Sequence, residues 1–389
     1  MTDINIDKLV NEAKSRTGLS DFGNDHFMEG LEKFVEGINN RADFIDETKE
    51  ALEENFIIRP LINLLHCAKD IADNPEILQQ KLLPPITIAT LPRAGSSYLQ
   101  RILAVTGGFQ TIPLWQIYMT SRIPGLPGGG KEERRNTTGK ILAWMLGQSP
   151  DQMQGHPMEV DVPDEEIFII ENIFRSIYIE MQHDSEEYKT WINSTDMNPA
   201  YDYLYQQLQY LQWQFHRDNP KPYILKAPGH LGYVDQLERV FPKEQKIVMS
   251  HRDPIESVAS NCFLMELGYA HYYRGRADDE NYGEWILSWL LKGMDRHLQW
   301  RDSRSEIAVL DISFADLCND SIGTAEKVYD FVGEELTGDG KEKIYEWDRD
   351  NPRYKHGKAS YSLEKYGLTK ERINEAFAPY LDRFSQYIW

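Results

Sequence analysis

Ile86-Thr87-Ile88-Ala89-Thr90-Leu91-Pro92-Arg93-Ala94-Gly95-Ser96-Ser97-Tyr98-Leu99-Gln100-Arg101 passes from a short β-branched run, through a tight Pro-Arg-Ala-Gly turn, into the first turns of a helix. A strand, a small-residue turn and a helix start leave backbone N–H groups without intrahelical partners. They converge on one spot with the helix dipole behind them, which makes an anion site. Gly95 permits close backbone approach, Ser96 and Ser97 add hydroxyl donors, and Arg93 adds a rigid fork of donors. The stretch therefore reads as a cradle for a phosphate-like group. It is not the phosphate loop of ATP- and GTP-binding proteins, which needs four residues between two glycines followed by Lys and Ser or Thr.

Outward from this stretch, further short strands alternate with helices. Pro222–Leu225 leads into a helix expected over about 230–241, Lys246–Ser250 precedes one over about 254–267, and Ile307–Ser313 is a fourth run. Strands of this apolar kind, separated by helices, predict an α/β fold with a central parallel sheet covered on both faces. Ligands of such sheets gather at the carboxyl ends of the strands. Residues 1–80 show helical spacing only (Leu9, Val10, Ala13, then Phe27, Leu31, Phe34, Val35) and are expected to form a helical extension packed on a core of residues 81–389. Residues 113–220 read as an aromatic-rich insertion. Within it Gly125-Leu126-Pro127-Gly128-Gly129-Gly130-Lys131 has no strand before it and no apolar helix start after it. It reads as a surface loop, with a lid over a binding pocket as the functional alternative.

The loop resembles the 5′-phosphosulfate loop of sulfotransferases that use 3′-phosphoadenosine 5′-phosphosulfate (PAPS), in which a strand enters Thr-x-x-Lys/Arg-Ser-Gly-Thr/Ser-Thr/Ser-x-Leu. Thr90, Arg93, Gly95, Ser96, Ser97 and Leu99 fit, while Ala94 stands where Ser or Thr is usual. Lys246–Phe263 is the second element: a strand end, Arg252, an Asp-Pro helix start, and Ser260 eight residues on. The resemblance implies that Arg252 and Ser260 hold the 3′-phosphate, and a strand-end guanidinium and a helical hydroxyl can converge on one phosphate. Tyr98 stands where the family often places an aromatic that stacks on adenine, although core packing would serve it equally well. Lys226, at the end of the second strand, corresponds to a lysine that reaches the phosphosulfate, where negative charge builds on the bridging oxygen; His230 nearby is as well suited to capping a helix. A late basic loop, Asn351–Lys358, is similar to the loop with which the family closes the 3′-phosphate site, with Arg353, Lys355, His356 and Lys358 as its candidates. These segments, the N-terminal Thr-Gly-Leu-Ser-Asp-Phe-Gly pair and the C-terminal Pro-Tyr-Leu-Asp-Arg-Phe look like the bacterial-type branch of the family, with its P-loop-like fold.

The formal charge of −20, from 42 basic and 62 acidic residues in 389, disfavours nucleic acid and anionic membranes as partners. An anionic donor must be held by a local basic cluster inside a negative shell. Cys67, Cys262 and Cys318 form no Cys-x-x-Cys pair, and the first 30 residues lack an apolar signal segment. No apolar run approaches the ~20 residues of a membrane span. A cytoplasmic protein is expected.

Sulfuryl transfer needs an acceptor in line with the S–O bond, a base for its proton, and cations around the leaving phosphate. Related branches carry a Glu in a Pro-Leu-Trp-Glu-like stretch; here Pro113-Leu114-Trp115 is followed by Gln116, which cannot accept a proton. His156 in Gly-His-Pro-Met-Glu is the best replacement, since a neutral imidazole with an ordinary pKa of about 6.5 suits proton removal near neutrality. Glu159 is second, and a histidine merely bonded to the acidic run 161–166 is the structural alternative. No histidine spacing suggests a metal. The expectation is a sulfotransferase that converts PAPS to adenosine 3′,5′-bisphosphate and sulfates a hydroxyl, or an amine, of a small acceptor, with Arg93, Lys226, His156 and Glu159 as catalytic candidates. The aromatic insertion suits an apolar or ring-bearing, lipid-like acceptor, and the helical N-terminus is compatible with a homodimer. A kinase-like phosphotransferase and a non-catalytic nucleotide-binding protein, the latter kept open by Gln116, are the alternatives.

Overall fold

A computed structural model describes residues 3–275, 280–303, 306–353, 355–357 and 360–388. Four strands, β1 (Ile86–Ile88), β2 (Ile224–Lys226), β3 (Lys246–His251) and β4 (Val309–Ser313), form one parallel sheet in the order β2-β1-β3-β4. Register runs Ile86 to Ile224 and to Lys246, and Ile247 to Val309. β1 and β2 are buried throughout, as befits strands flanked by helices on both faces. β1 lies between β2 and β3, so the chain leaves it towards opposite sides and a crevice opens at its carboxyl end.

β3 runs one residue past the expected Ser250, and three other boundaries differ from the sequence expectation. β2 begins at Ile224, because the Pro222 carbonyl and the Tyr223 segment pair with Gln110 instead. The helix expected from about 230 starts at Val234; Pro228–Tyr233 forms a tight 3-10 turn that draws His230 into the core. β4 starts at Val309, two residues late.

Local capping fixes the elements that carry the crevice. Asp253 accepts the Ile255 N–H at 2.8 Å, with Pro254 in the first helical position, so the helix Pro254–Tyr269 begins directly after β3. Thr337 caps Gly338–Asp350 through the Gly340 N–H at 3.1 Å. The ends of β1 and β3 are tied together: Thr90 Oγ1 donates to the Ser250 carbonyl, and Ser250 Oγ donates to the Ala94 carbonyl at 2.6 Å. The C-terminal helix Ala378–Phe384 buttresses this end, with Tyr380 Oη 3.2 Å from His251 Nδ1 and 3.4 Å from the Arg252 carbonyl.

The N-terminal helices Ile6–Thr17, Met28–Asn40 and Arg59–Asp73 share one apolar core with the insertion and the C-terminal helices. The three cysteines are unpaired. Among the described residues no helix is long and apolar enough to cross a membrane.

Candidate active site

The turn after β1 is built as the sequence suggests, with two residues in the left-handed region. Gly95, at φ +87°, precedes the helix Ser96–Val105, and a Cβ there would lie 2.8 Å from the Phe314 ring. Arg93, at φ +69°, adopts a conformation that costs a side-chain-bearing residue about 1 kcal/mol or more. That strain places its guanidinium against the second motif: Arg93 Nε donates to Ser260 Oγ at 3.0 Å, and Arg252 Nη1 donates to the Arg93 carbonyl at 2.7 Å. Arg252 also stacks 4.7 Å from the Phe314 ring, with Arg353 5.9 Å from the same ring. Burial lowers the Arg93 pKa and the Arg252 charge lowers it further. Two guanidiniums held together in a partly desolvated crevice favour an anion between them.

A cavity of about 790 Å³ opens here. Arg93, Gly95, Ser96, Ser97 and Tyr98 line it, as do Arg252 and Ser260, so two motifs some 160 residues apart in sequence share one wall. Arg353, Lys355 and His356 line it as well; Lys358 lies outside the described residues. Tyr98 Oη donates to Asp348 at 2.8 Å, and its ring packs 5.6 Å from Trp347. Ala94 is fully buried and turned away, its carbonyl held by Ser250.

His156 and Glu159 line the same cavity. His156 Nε2 lies 3.0 and 3.2 Å from the two Asp164 oxygens, the contact foreseen as the structural alternative, and it leaves the ring in the cavity wall. Burial would raise the Asp164 pKa; the charge of and hydrogen bond from His156, then Lys226 and Arg101, overcome it and hold Asp164 well below the usual carboxylate range. An ionised Asp164 can only accept, so Nε2 carries the hydrogen of this contact and Nδ1 is the ring nitrogen outside it. Glu159 is exposed at the rim.

Lys226 is fully buried and does not line the cavity. Its Nζ donates to Glu165 at 3.0 Å and to Ser97 Oγ at 3.2 Å, with Asp164 3.8 Å away. It is thus set behind the loop, in contact with Ser97. His156, Asp164 and Glu165 bring ligand atoms within 4.8 Å of one another, a donor set that a metal ion could use, but the Lys226 ammonium already supplies the cation on Glu165. His230 plays no part in the cavity: its ring is buried between Glu166 at 2.6 Å and Tyr201 at 3.1 Å. Gln116 is buried and does not line the cavity either, nor does the Gly125–Lys131 turn, whose following helix Lys131–Gln148 contributes Ile141 and Met145.

Sequence reasoning missed Glu165, which accepts Lys226 and, at 2.6 Å, Tyr178 Oη, and the wall formed by Phe314, Trp347 and Asp348. The acidic run 161–166 was visible, but which of its carboxylates turns inward is decided by the 3-10 segment Glu166–Ile173 that follows. It also missed the methionines Met145, Met153, Met181 and Met265, which line one arm of the cavity beside Tyr118, Phe168 and Tyr178 of the aromatic-rich insertion.

Comparison with known proteins bears on the fold and the family. A solved sulfotransferase, STF9 from Mycobacterium avium, matches at TM-score 0.83 and 24% identity, covering 98% of each chain. STF1 from Mycobacterium tuberculosis H37Rv matches at TM-score 0.80 and 23% identity, over 97% of this chain and 99% of that one. No curated protein sequence matches significantly. The profile of the Sulfotransferase family covers residues 84–338, which include the β1 loop, Lys226, Arg252 and Ser260, and the chain belongs to that family.

Proposed function

We propose that this protein transfers the sulfuryl group of PAPS to a hydroxyl of a small, largely apolar acceptor. The observation that carries the reading is the convergence of Arg93, Arg252 and Ser260 at the mouth of a cavity whose other arm is apolar. The 3′-phosphate sits on Arg252 and Ser260, with Arg353, Lys355 and His356 closing over it. The 5′-phosphosulfate sits on the N-terminus of Ser96–Val105, held by Arg93, Ser96 and Ser97, and the adenine lies against Tyr98 and Trp347.

In-line transfer brings the acceptor oxygen to sulfur as the S–O bond to the phosphate breaks. His156 Nδ1 takes the hydroxyl proton, with Asp164 holding the ring and stabilising the imidazolium that forms. The leaving phosphate gains charge beside Arg93 and Ser97, and Lys226 supports it from behind Ser97. Glu159, at the rim, is the weaker candidate for the base. Free thiols in all three cysteines suit a cytoplasmic setting.

The test is calorimetry without added metal. Adenosine 3′,5′-bisphosphate binds and ATP binds far more weakly; in Arg252→Ala the bisphosphate affinity falls about 10- to 100-fold, the worth of one or two hydrogen bonds to a charged group. Preference for ATP, or bisphosphate affinity unchanged in Arg252→Ala, overturns the donor assignment.

A further inference from the structure

Three polar side chains in the acceptor arm have no task in sulfuryl transfer. Arg59, 8% exposed, donates from Nε to the Asn55 carbonyl at 2.9 Å and from Nη1 to the Tyr118 carbonyl at 2.8 Å. Its Nη2 makes no hydrogen bond among the described residues. Glu171, 4% exposed, receives Gln182 Nε2 on Oε1 at 3.1 Å, and Oε2 has no partner among those residues. All three side chains line the cavity. Burial pushes the Glu171 pKa up to about 8 against the opposing pull of Arg59 and Gln182, so at neutral pH the carboxyl carries its proton. Arg59 and Glu171 are then both hydrogen-bond donors in an apolar setting, where a donor left unpaired is costly.

A ladder of rings joins this cluster to the reacting end. Tyr178, whose hydroxyl is bonded to Glu165, packs 5.4 Å from Phe168; Phe168 packs 6.1 Å from Tyr118; the Arg59 guanidinium lies 5.0 Å from Tyr118. The backbone before Arg59 is distorted to place it. Glu53–Ile58 is one π-helical turn, closed by the Arg59 N–H on the Glu54 carbonyl, and it brings Asn55 and Phe56 to the cavity with Arg59. Such turns are seldom kept in a helix without a local use.

We infer that Arg59 and Glu171 form a recognition subsite for a hydrogen-bond-accepting oxygen at the far end of the acceptor. The acceptor is then an elongated, ring-bearing alcohol with its reacting hydroxyl at one end and a carbonyl- or ether-type oxygen at the other. The inference rests on the acceptor arm assigned above. It goes beyond the transfer reaction, because it concerns a group that does not react.

Two probes of equal core test it: 4-phenylphenol and 4-acetyl-4′-hydroxybiphenyl, titrated by calorimetry into the protein with and without adenosine 3′,5′-bisphosphate. The acetyl probe binds about tenfold tighter or more near pH 6.5, and this preference shrinks near pH 9 as Glu171 ionises. Glu171→Leu abolishes the preference. Glu171→Gln retains part of it and loses its pH dependence, which a merely structural role would not produce. Equal affinities, no binding of either probe, or a preference untouched in both variants overturns the inference. Bisphosphate binding is read separately: its loss with the acetyl preference intact would sink the donor assignment and leave the subsite standing.

Discussion

Glu171 makes a prediction about stability whose size follows from its burial. Its carboxyl is raised from the ordinary 4.5 to about 8 in the folded protein, burial outweighing Arg59 and Gln182. A folded-state pKa above the unfolded value means that the folded chain keeps a proton the unfolded chain has released. The contribution to stability is complete below about pH 4.5 and is lost as pH rises, at about 1.4 kcal/mol per pH unit, until the folded carboxyl itself ionises near pH 8. Over an interval of about three and a half units the loss is of order 5 kcal/mol, a large share of the 5–15 kcal/mol typical of folded domains. Glu171→Gln preserves shape and an acceptor for Gln182 but cannot ionise, so it escapes the loss. Urea unfolding followed by tryptophan fluorescence at a series of pH values between about 5 and 9 measures the difference. The variant-minus-native stability gap grows with pH to several kcal/mol in favour of the variant, then levels off above about pH 8. Other titrating groups cancel in that difference. Parallel curves, with a gap constant to within about 0.5 kcal/mol, would refute the burial argument and leave Glu171 charged in the cavity.

Other substitutions address the donor end and the chemistry. Gly95→Ala forces a Cβ onto the Phe314 ring at a left-handed backbone position; it costs about 1–3 kcal/mol in unfolding experiments, together with a clear loss of adenosine 3′,5′-bisphosphate affinity. Lys226→Met leaves Glu165 and Asp164 facing each other without their ammonium, and melts lower by an amount equivalent to about 3–5 kcal/mol. His156→Ala lowers the rate of PAPS-dependent sulfation of a phenol by about 10²- to 10⁴-fold while bisphosphate affinity stays put; a matching loss of affinity would make His156 a donor-site residue instead.

What could be read from the chain alone was whatever depends on residues close in sequence. The loop from Ile86 to Arg101 dictates a strand, a turn that only Gly95 can make cheaply, and a helix start, so the anion cradle is local chemistry. Asp253 and Pro254 likewise start a helix immediately after a strand, which fixes Arg252 at its end and Ser260 two turns inside. The net charge and the missing apolar spans follow from composition.

Tertiary structure decided everything that needed two distant segments to meet. Only the pairing of β1 with both β2 and β3 brings Arg93 against Ser260 and Lys226 behind Ser97. Whether His230 or His156 faced the cavity could not be read locally, because Glu166 and Tyr201, which bury His230, come from other parts of the fold. The acceptor arm was the least legible, for its wall draws Arg59 from the N-terminal helices, Glu171 from the insertion and Met265 from the helix after β3. An apolar residue lining a pocket carries the same signal as one filling a core, since both leave water for the same reason. Packing alone separates the two, and packing is a property of the assembled chain.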